Sequence, residues 1–129
     1  MRGILCATDF STRSQRALRR AGLLARQVDA ELTLLHVVDD DHPPRLTELE
    51  RREASRFLDE QRHSIAELRG VRCRSAVAAG EAFDGILHEA EAVAADLIVM
   101  GSHRKRLGSV AERVLRALEL DILAVPPAP

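Results

Sequence analysis

The feature that most constrains the fold of this chain is a repeated switch between two hydrophobic patterns. Short apolar runs such as GILCAT (3–8), ELTLLHVV (31–38) and DLIVMG (96–101) are typical of strands buried on both faces of a sheet. DILAV (121–125) predicts a further strand, and VRCRSAVAAG (71–80) alternates enough to predict an edge strand with one partly wet face. The runs are separated by longer stretches whose apolar residues recur three and four positions apart, as they do in amphipathic helices. The pattern therefore predicts alternating strands and helices.

The helices have recognisable ends and apolar stripes. Ser11 is placed to cap the first helix, and Thr47 with Glu50 predicts a capping box for the second, which should end near Gly70. Ser109 with Glu112 predicts a second capping box. The residues expected to face the core are Ala17, Leu18, Ala21, Leu24, Ala25 and Val28 in the first helix, and Leu49, Phe57, Leu58, Ile65 and Leu68 in the second.

Strands separated by helices cannot be joined as hairpins, so the sheet should be parallel, with right-handed crossovers and helices on both faces. We predict an α/β, doubly wound, five-stranded fold in a single domain over residues 1–129. Ligands of such sheets bind beyond the carboxyl ends of the strands, where the winding direction reverses. Asp9 follows the first strand and the loop from Gly101 to Ser109 follows the fourth, which together indicate strand order 3-2-1-4-5.

Composition narrows the classes of partner. The net charge of -1 provides no general attraction to nucleic acid or to an anionic membrane. The apolar runs are too short for a signal peptide or a membrane span, so the expected location is cytoplasmic. Cys6 and Cys73 lack the spacing of a metal site and are expected to be buried, reduced thiols. The five histidines also lack the spacings of zinc sites, so a divalent ion such as Mg²⁺ is expected only together with a nucleotide.

Four segments, ILCATDFS, LTLLHVVD, ADLIVMGSH and GSVAERVLRALELDILAV, resemble the universal stress protein family in order and spacing. The resemblance runs over nearly the whole chain. It implies a five-stranded α/β domain, usually dimeric and cytoplasmic, that acts under stress, with one branch of the family binding ATP or related adenine nucleotides. It also implies that the last strand, DILAV, pairs with its counterpart in a homodimer.

The phosphate-binding signature of that branch is only partly matched. Gly101 corresponds to its first glycine and the pair Gly108 and Ser109 to its last, whereas Arg104 stands where a second glycine is usual and the loop is shorter. Backbone amides at Gly108, Ser109 and Val110 would still favour an anion, because they open a helix. The basic run that begins at Arg104 either adds contacts to phosphate or is simply solvated.

The adenosine side of the signature matches better. By resemblance, Ala7, Thr8 and Asp9 line the ribose and base, Val37 meets the adenine through its backbone, and Met100 packs nearby. Each residue also has a structural interpretation: Asp9 as a helix or turn cap, Thr8 as a strand end and Met100 as core. His36 is expected to bond a neighbouring backbone group, and His103 lies in the loop beside the presumed anion site.

Three functions remain open on these grounds. The first is a stress-signalling module that binds an adenine nucleotide, ATP or AMP, at the tips of the first and fourth strands. The second is a dimeric interaction protein of the same family that has lost nucleotide binding and acts through an unidentified protein partner. The third is an enzyme, which is disfavoured because no nucleophile, base and orienting acid occur together.

Overall fold

The computed structural model of the chain describes residues 2–101, 109–117 and 121–126, and these form a five-stranded parallel sheet flanked by helices. The strands are β1 (Gly3–Ala7), β2 (Glu31–Val38), β3 (Cys73–Ala79), β4 (Leu97–Gly101) and β5 (Asp121–Val125). Their order in the sheet is β3-β2-β1-β4-β5, as predicted. The helices are α1 (Thr12–Val28), α2 (Pro44–Ser64), α3 (Ala82–Ala92) and α4 (Ser109–Ala117), with a short 3-10 turn at Ala66–Leu68.

Two apolar cores lie on opposite faces of the sheet because successive strand residues point to opposite sides. On one face, Ile4 and Cys6 of β1 pack among buried residues of α1 and α2. On the other face, Leu5 packs with residues of α3 and α4, including Ile86 and Val114. Covering both faces explains why the strands are apolar runs rather than alternating ones.

Helix α1 follows its prediction closely. The Ser11 side chain accepts a hydrogen bond from the Ser14 backbone N–H at 3.2 Å, which satisfies one of the free donors at the start of the helix. Most of the expected stripe is buried, whereas Leu24 is only partly buried and Val28 is 39% exposed at the end of the helix.

Helix α2 corrects the predictions made for its two ends. It begins at Pro44, and the Thr47 backbone N–H already donates to the carbonyl of Pro43, so Thr47 lies inside the helix and caps nothing. Proline suits the first position of a helix because its missing N–H would be unpaired there anyway. The helix ends at Ser64, before Gly70.

The core-facing stripe of α2 also differs from the prediction. Leu58 is fully buried, but Leu49 is 56% exposed and Phe57 is 43% exposed. The helix instead buries Ala54 and Gln61 beside Leu58, which leaves the larger side chains on its flank. The capping box predicted at Ser109 concerns side-chain contacts outside the described residues, although α4 does begin at Ser109.

Candidate functional site

A pocket of about 180 Å³ lies where the winding of the sheet reverses, beyond the carboxyl ends of β1, β2 and β4. We call it the strand-tip pocket. Strand β1 is hydrogen-bonded to β2 on one side and to β4 on the other. The chain leaves β1 for α1 on one face of the sheet and leaves β4 for α4 on the opposite face, which opens a crevice between the ends of these two strands. The pocket is lined by Ala7, Thr8, Asp9, Ser14, Leu35, His36, Val37, Ala82, Ile86, Met100, Gly101 and Val110.

The structure brings most of the sequence-predicted site residues together in this pocket. Those that line it are Ala7, Thr8, Asp9, Val37, Met100, Gly101 and Val110. Ser109 is the first residue of α4, the helix that carries Val110 to the pocket. Arg104, Gly108 and His103 lie outside the described residues.

Asp9 is held by the first turn of α1. Its Oδ1 atom accepts hydrogen bonds from the Ser14 hydroxyl at 2.6 Å and from the Ser11 backbone N–H at 2.9 Å. Burial would raise the pKa of Asp9, but these hydrogen bonds and the charge of Arg13 outweigh it and lower the pKa below its usual value. The carboxylate is therefore charged and fixed in orientation at neutral pH.

The turn after β1 is fixed from the other side by His36. The imidazole Nδ1 atom donates to the carbonyl oxygen of Thr8 at 2.8 Å, which confirms the prediction that this histidine bonds a neighbouring backbone group. The Thr8 backbone N–H donates to Leu35 at 2.9 Å, and its hydroxyl accepts from the Phe10 N–H at 3.1 Å. Phe10 itself has a φ of 65°, an uncommon conformation for a bulky residue.

Close backbone packing shapes two walls of the pocket. A Cβ atom at Gly85 of α3 would lie 2.7 Å from a Val37 methyl group, so the glycine lets α3 approach β2 closely. A Cβ atom at Gly101 would lie 3.1 Å from Arg13 at the start of α1. Glycine destabilises a helix interior, and at Gly85 this close packing beside the pocket gives the reason for it.

Sequence reasoning missed several lining residues. The sequence pattern predicts Ser14 only as a residue of the first helix. Its position three residues after the Ser11 cap nevertheless indicates a hydroxyl that faces the turn before the helix. Leu35, Ala82 and Ile86 are apolar residues whose patterns indicate core equally well. Only the crossovers of the sheet place them beside Asp9.

The described residues offer little for covalent or metal chemistry. Within 2–101, 109–117 and 121–126, no group of three or more His, Cys, Asp or Glu residues could hold a metal ion. Burial, with a smaller effect of Cys73, raises the pKa of the Cys6 thiol to about 12. Burial raises the pKa of Cys73 to about 11, with Arg62 opposing it, so neither thiol is a nucleophilic thiolate at neutral pH. No helix in the described part of the chain is long and apolar enough to cross a membrane.

Comparison with known proteins gives a consistent family result. The model of the universal stress protein family matches residues 1–126. A universal stress protein of Methanocaldococcus jannaschii is 32% identical over 137 residues, covering 95% of this chain and 80% of that protein. Universal stress protein A homolog 1 of Coxiella burnetii is 31% identical over 140 residues, covering 95% of this chain and 94% of that protein.

Solved structures share the fold. Universal stress protein UspA from Lactobacillus plantarum has a TM-score of 0.83 and 25% identity, covering 96% of this chain and 97% of that one. A universal stress protein in complex with cAMP has a TM-score of 0.78 at 23% identity, covering 98% of both chains. The universal stress protein from Archaeoglobus fulgidus in complex with dAMP has a TM-score of 0.74 at 24% identity, covering 97% of this chain and 98% of that one.

Proposed function

The chain belongs to the universal stress protein family, and we propose that it is a signalling module that binds an adenine nucleotide, ATP or AMP, in the strand-tip pocket. The observation that carries the proposal is the convergence of Asp9, Val37 and Met100 from three neighbouring strand ends on one concave site. The cAMP and dAMP complexes of proteins with the same fold support the choice of an adenine nucleotide.

The adenosine part of the ligand fits the described residues. The pocket walls are mostly apolar, as a flat base requires, with Val37, Ile86 and Met100 on different elements. Asp9 presents a fixed carboxylate that suits a ribose hydroxyl, because a charged acceptor forms a stronger hydrogen bond than a neutral one. These features support placing base and ribose in the strand-tip pocket.

The phosphates would lie toward the start of α4. Backbone N–H groups at the first turn of a helix have no partner within it, and the helix dipole favours an anion there. Ser109 and Val110 supply two such groups. By resemblance Gly108 would supply a further contact, and the guanidinium of Arg104, which stands where the family has a glycine, would add a charge-assisted contact to phosphate. A Mg²⁺ ion would enter only with the nucleotide, bound to its phosphates.

The remaining parts of the proposal follow the family. We propose one domain over residues 1–129, a non-enzymatic role in stress signalling, a cytoplasmic location, and a homodimer that pairs through β5. Strand β5 is at one end of the strand order, where a sheet edge presents unpaired backbone groups. An unidentified protein partner would receive the signal.

Calorimetric titration of the nucleotide-stripped protein tests the proposal. ATP with Mg²⁺, and separately AMP, should give saturable binding. Asp9→Ala should weaken it about tenfold or more, since hydrogen bonds to charged groups contribute about 1.5–3 kcal/mol. Glu60→Ala, which removes an exposed carboxylate from α2, should leave the affinity unchanged.

Two results would contradict the proposal. Absence of heat and of any shift in melting temperature at millimolar nucleotide would favour the alternative, a family member that acts through protein contacts alone. Equal weakening by Asp9→Ala and Glu60→Ala would show that binding does not use the strand-tip pocket.

A further inference from the structure

A second concave site lies beside the strand-tip pocket, on the other face of the sheet. It has a volume of about 510 Å³ and runs between the end of β2, Phe10 and the flank of α2. We call it the α2 groove. Its lining residues are Phe10, His36, Val37, Val38, Asp39, Leu49, Glu50, Glu53, Ala54 and Phe57. The volume lies in the range of roughly 300–1,000 Å³ that is usual for small-molecule sites.

The floor of the groove is aromatic. Phe10 packs on the His36 ring with centroids 4.3 Å apart, and Phe57 meets Phe10 edge to face at 4.7 Å. Phe57 remains 43% exposed and Leu49 56% exposed, although the sequence pattern predicts both in the core. Leu49 and Phe57 line the same groove, and contiguous exposed apolar surface is characteristic of interaction sites.

The rim of the groove is acidic. Asp39, Glu50 and Glu53 are the charged side chains among the residues that line it, and all three are carboxylates. Two of the carboxylates have side-chain neighbours that do not line the groove: Arg56 donates to Glu53 at 2.6 Å, and the His42 Nε2 atom lies 3.7 Å from Glu50. The Arg56–Glu53 pair is well exposed, and exposed ion pairs contribute roughly 0–1 kcal/mol, so a ligand cation can replace Arg56 there.

We propose that the α2 groove binds an amphipathic organic cation, a small molecule with an aromatic or alkyl body and one ammonium group. The body would cover Phe10, Leu49 and Phe57, and the ammonium would lie among the three carboxylates. Aromatic rings attract cations through their quadrupole, which adds to the attraction of the rim. An anion of the same shape should bind more weakly, because it would meet the like charge of the rim. The groove and the strand-tip pocket share His36 and Val37 in their linings. The side chains proposed to contact the cation do not line the strand-tip pocket, so the proposal does not rest on nucleotide binding there.

The test uses 4-phenylbutylamine as a probe, with 4-phenylbutanol and 4-phenylbutyrate as neutral and anionic analogues of similar shape. The chain has three phenylalanines, so phenylalanine labelled with ¹³C in the ring gives three sets of NMR signals. The signals of Phe10 and Phe57 should shift and saturate with the amine. Phe83 of α3, whose ring packs under Arg113 of α4, is an internal control, and its signals should not shift.

Variants separate the contribution of the aromatic and apolar side chains from that of the acidic rim. Phe57→Ala should weaken binding of the amine about fivefold, which corresponds to cation–π and apolar contacts of roughly 1 kcal/mol. Leu23→Ala, at a similarly exposed apolar position on α1, should have no effect. Glu53→Gln should weaken binding of the amine but not of the alcohol, and Glu60→Gln should change the affinity for neither probe.

Three results would overturn the proposal. Equal affinity for amine and alcohol would remove the role of the acidic rim. Unmoved Phe10 and Phe57 signals would show that the groove binds no such cation. Shifts of these signals with protein concentration alone, without probe, would assign the groove to a second copy of the chain.

Discussion

Replacing Gly85 by alanine separates two opposing effects that meet at the wall of the strand-tip pocket. Alanine is a better helix former than glycine by about 1 kcal/mol in a helix interior, so helix α3 alone would gain stability. The added Cβ atom, however, would lie 2.7 Å from one Val37 methyl carbon and 3.3 Å from the other. Val37 is β-branched and its χ1 angle is stiff, so it cannot turn aside at low cost.

The expected balance is destabilising. Overpacking of this kind costs about 1–3 kcal/mol, which exceeds or cancels the gain in helix propensity. We therefore expect Gly85→Ala to change the free energy of unfolding by about 0 to 2 kcal/mol in the destabilising direction. Because Val37 lines the strand-tip pocket, the same displacement should weaken nucleotide binding.

A double-mutant cycle with Val37→Ala isolates the contact. In the Val37→Ala background the clash is removed, so Gly85→Ala should become stabilising by up to about 1 kcal/mol. Urea unfolding followed by far-ultraviolet circular dichroism gives the four free energies, since the chain has no Trp or Tyr for fluorescence. A stabilising effect of Gly85→Ala of the same size in both backgrounds would refute the close approach of α3 to β2.

Two further predictions concern the start of α1. Ser11→Ala should lower the free energy of unfolding by about 0.5–2 kcal/mol in urea titrations, because the Ser14 N–H loses its hydrogen-bond acceptor. Ser64→Ala, at an exposed position, should have little effect, and equal effects of the two substitutions would contradict the capping role of Ser11. Since the folded pKa of Asp9 is lowered below 3.8, its charge stabilises the fold above that pH and this stability is lost as the pH falls through the folded value. The difference in unfolding free energy between the wild type and Asp9→Asn should therefore narrow below about pH 4, and a difference that is constant with pH would contradict the assignment.

The sheet was predictable because its signals are local and repeated. Solid apolar runs bounded by helix-like stretches can only form a parallel sheet with helices on both faces, and the position of Asp9 and Gly101 at strand ends indicated the strand order. Helix α2 shows the limit of such reasoning. The Thr47 and Glu50 spacing of a capping box also occurs by chance inside a helix, and Pro44 set the actual start.

The exposed flank of α2 could not be predicted for a different reason. The periodicity of a charged helix fixes which residues share a face, but the face that meets the sheet depends on what lies beneath it. Ala54, Leu58 and Gln61 fill that space, so Leu49 and Phe57 turn to the α2 groove. Likewise, only the crossovers bring Ala82 and Ile86 of α3 beside Asp9.

The most direct test of nucleotide binding in the strand-tip pocket is an NMR titration of protein labelled with ¹³C at the methionine methyl groups. The chain has two methionines, Met1 and Met100, and Met100 lines the pocket. Addition of AMP should shift the Met100 signal to saturation through the ring current of the adenine, with the same dissociation constant that calorimetry gives. Saturable heat with an unmoved Met100 signal would contradict the account, because the nucleotide would then bind elsewhere.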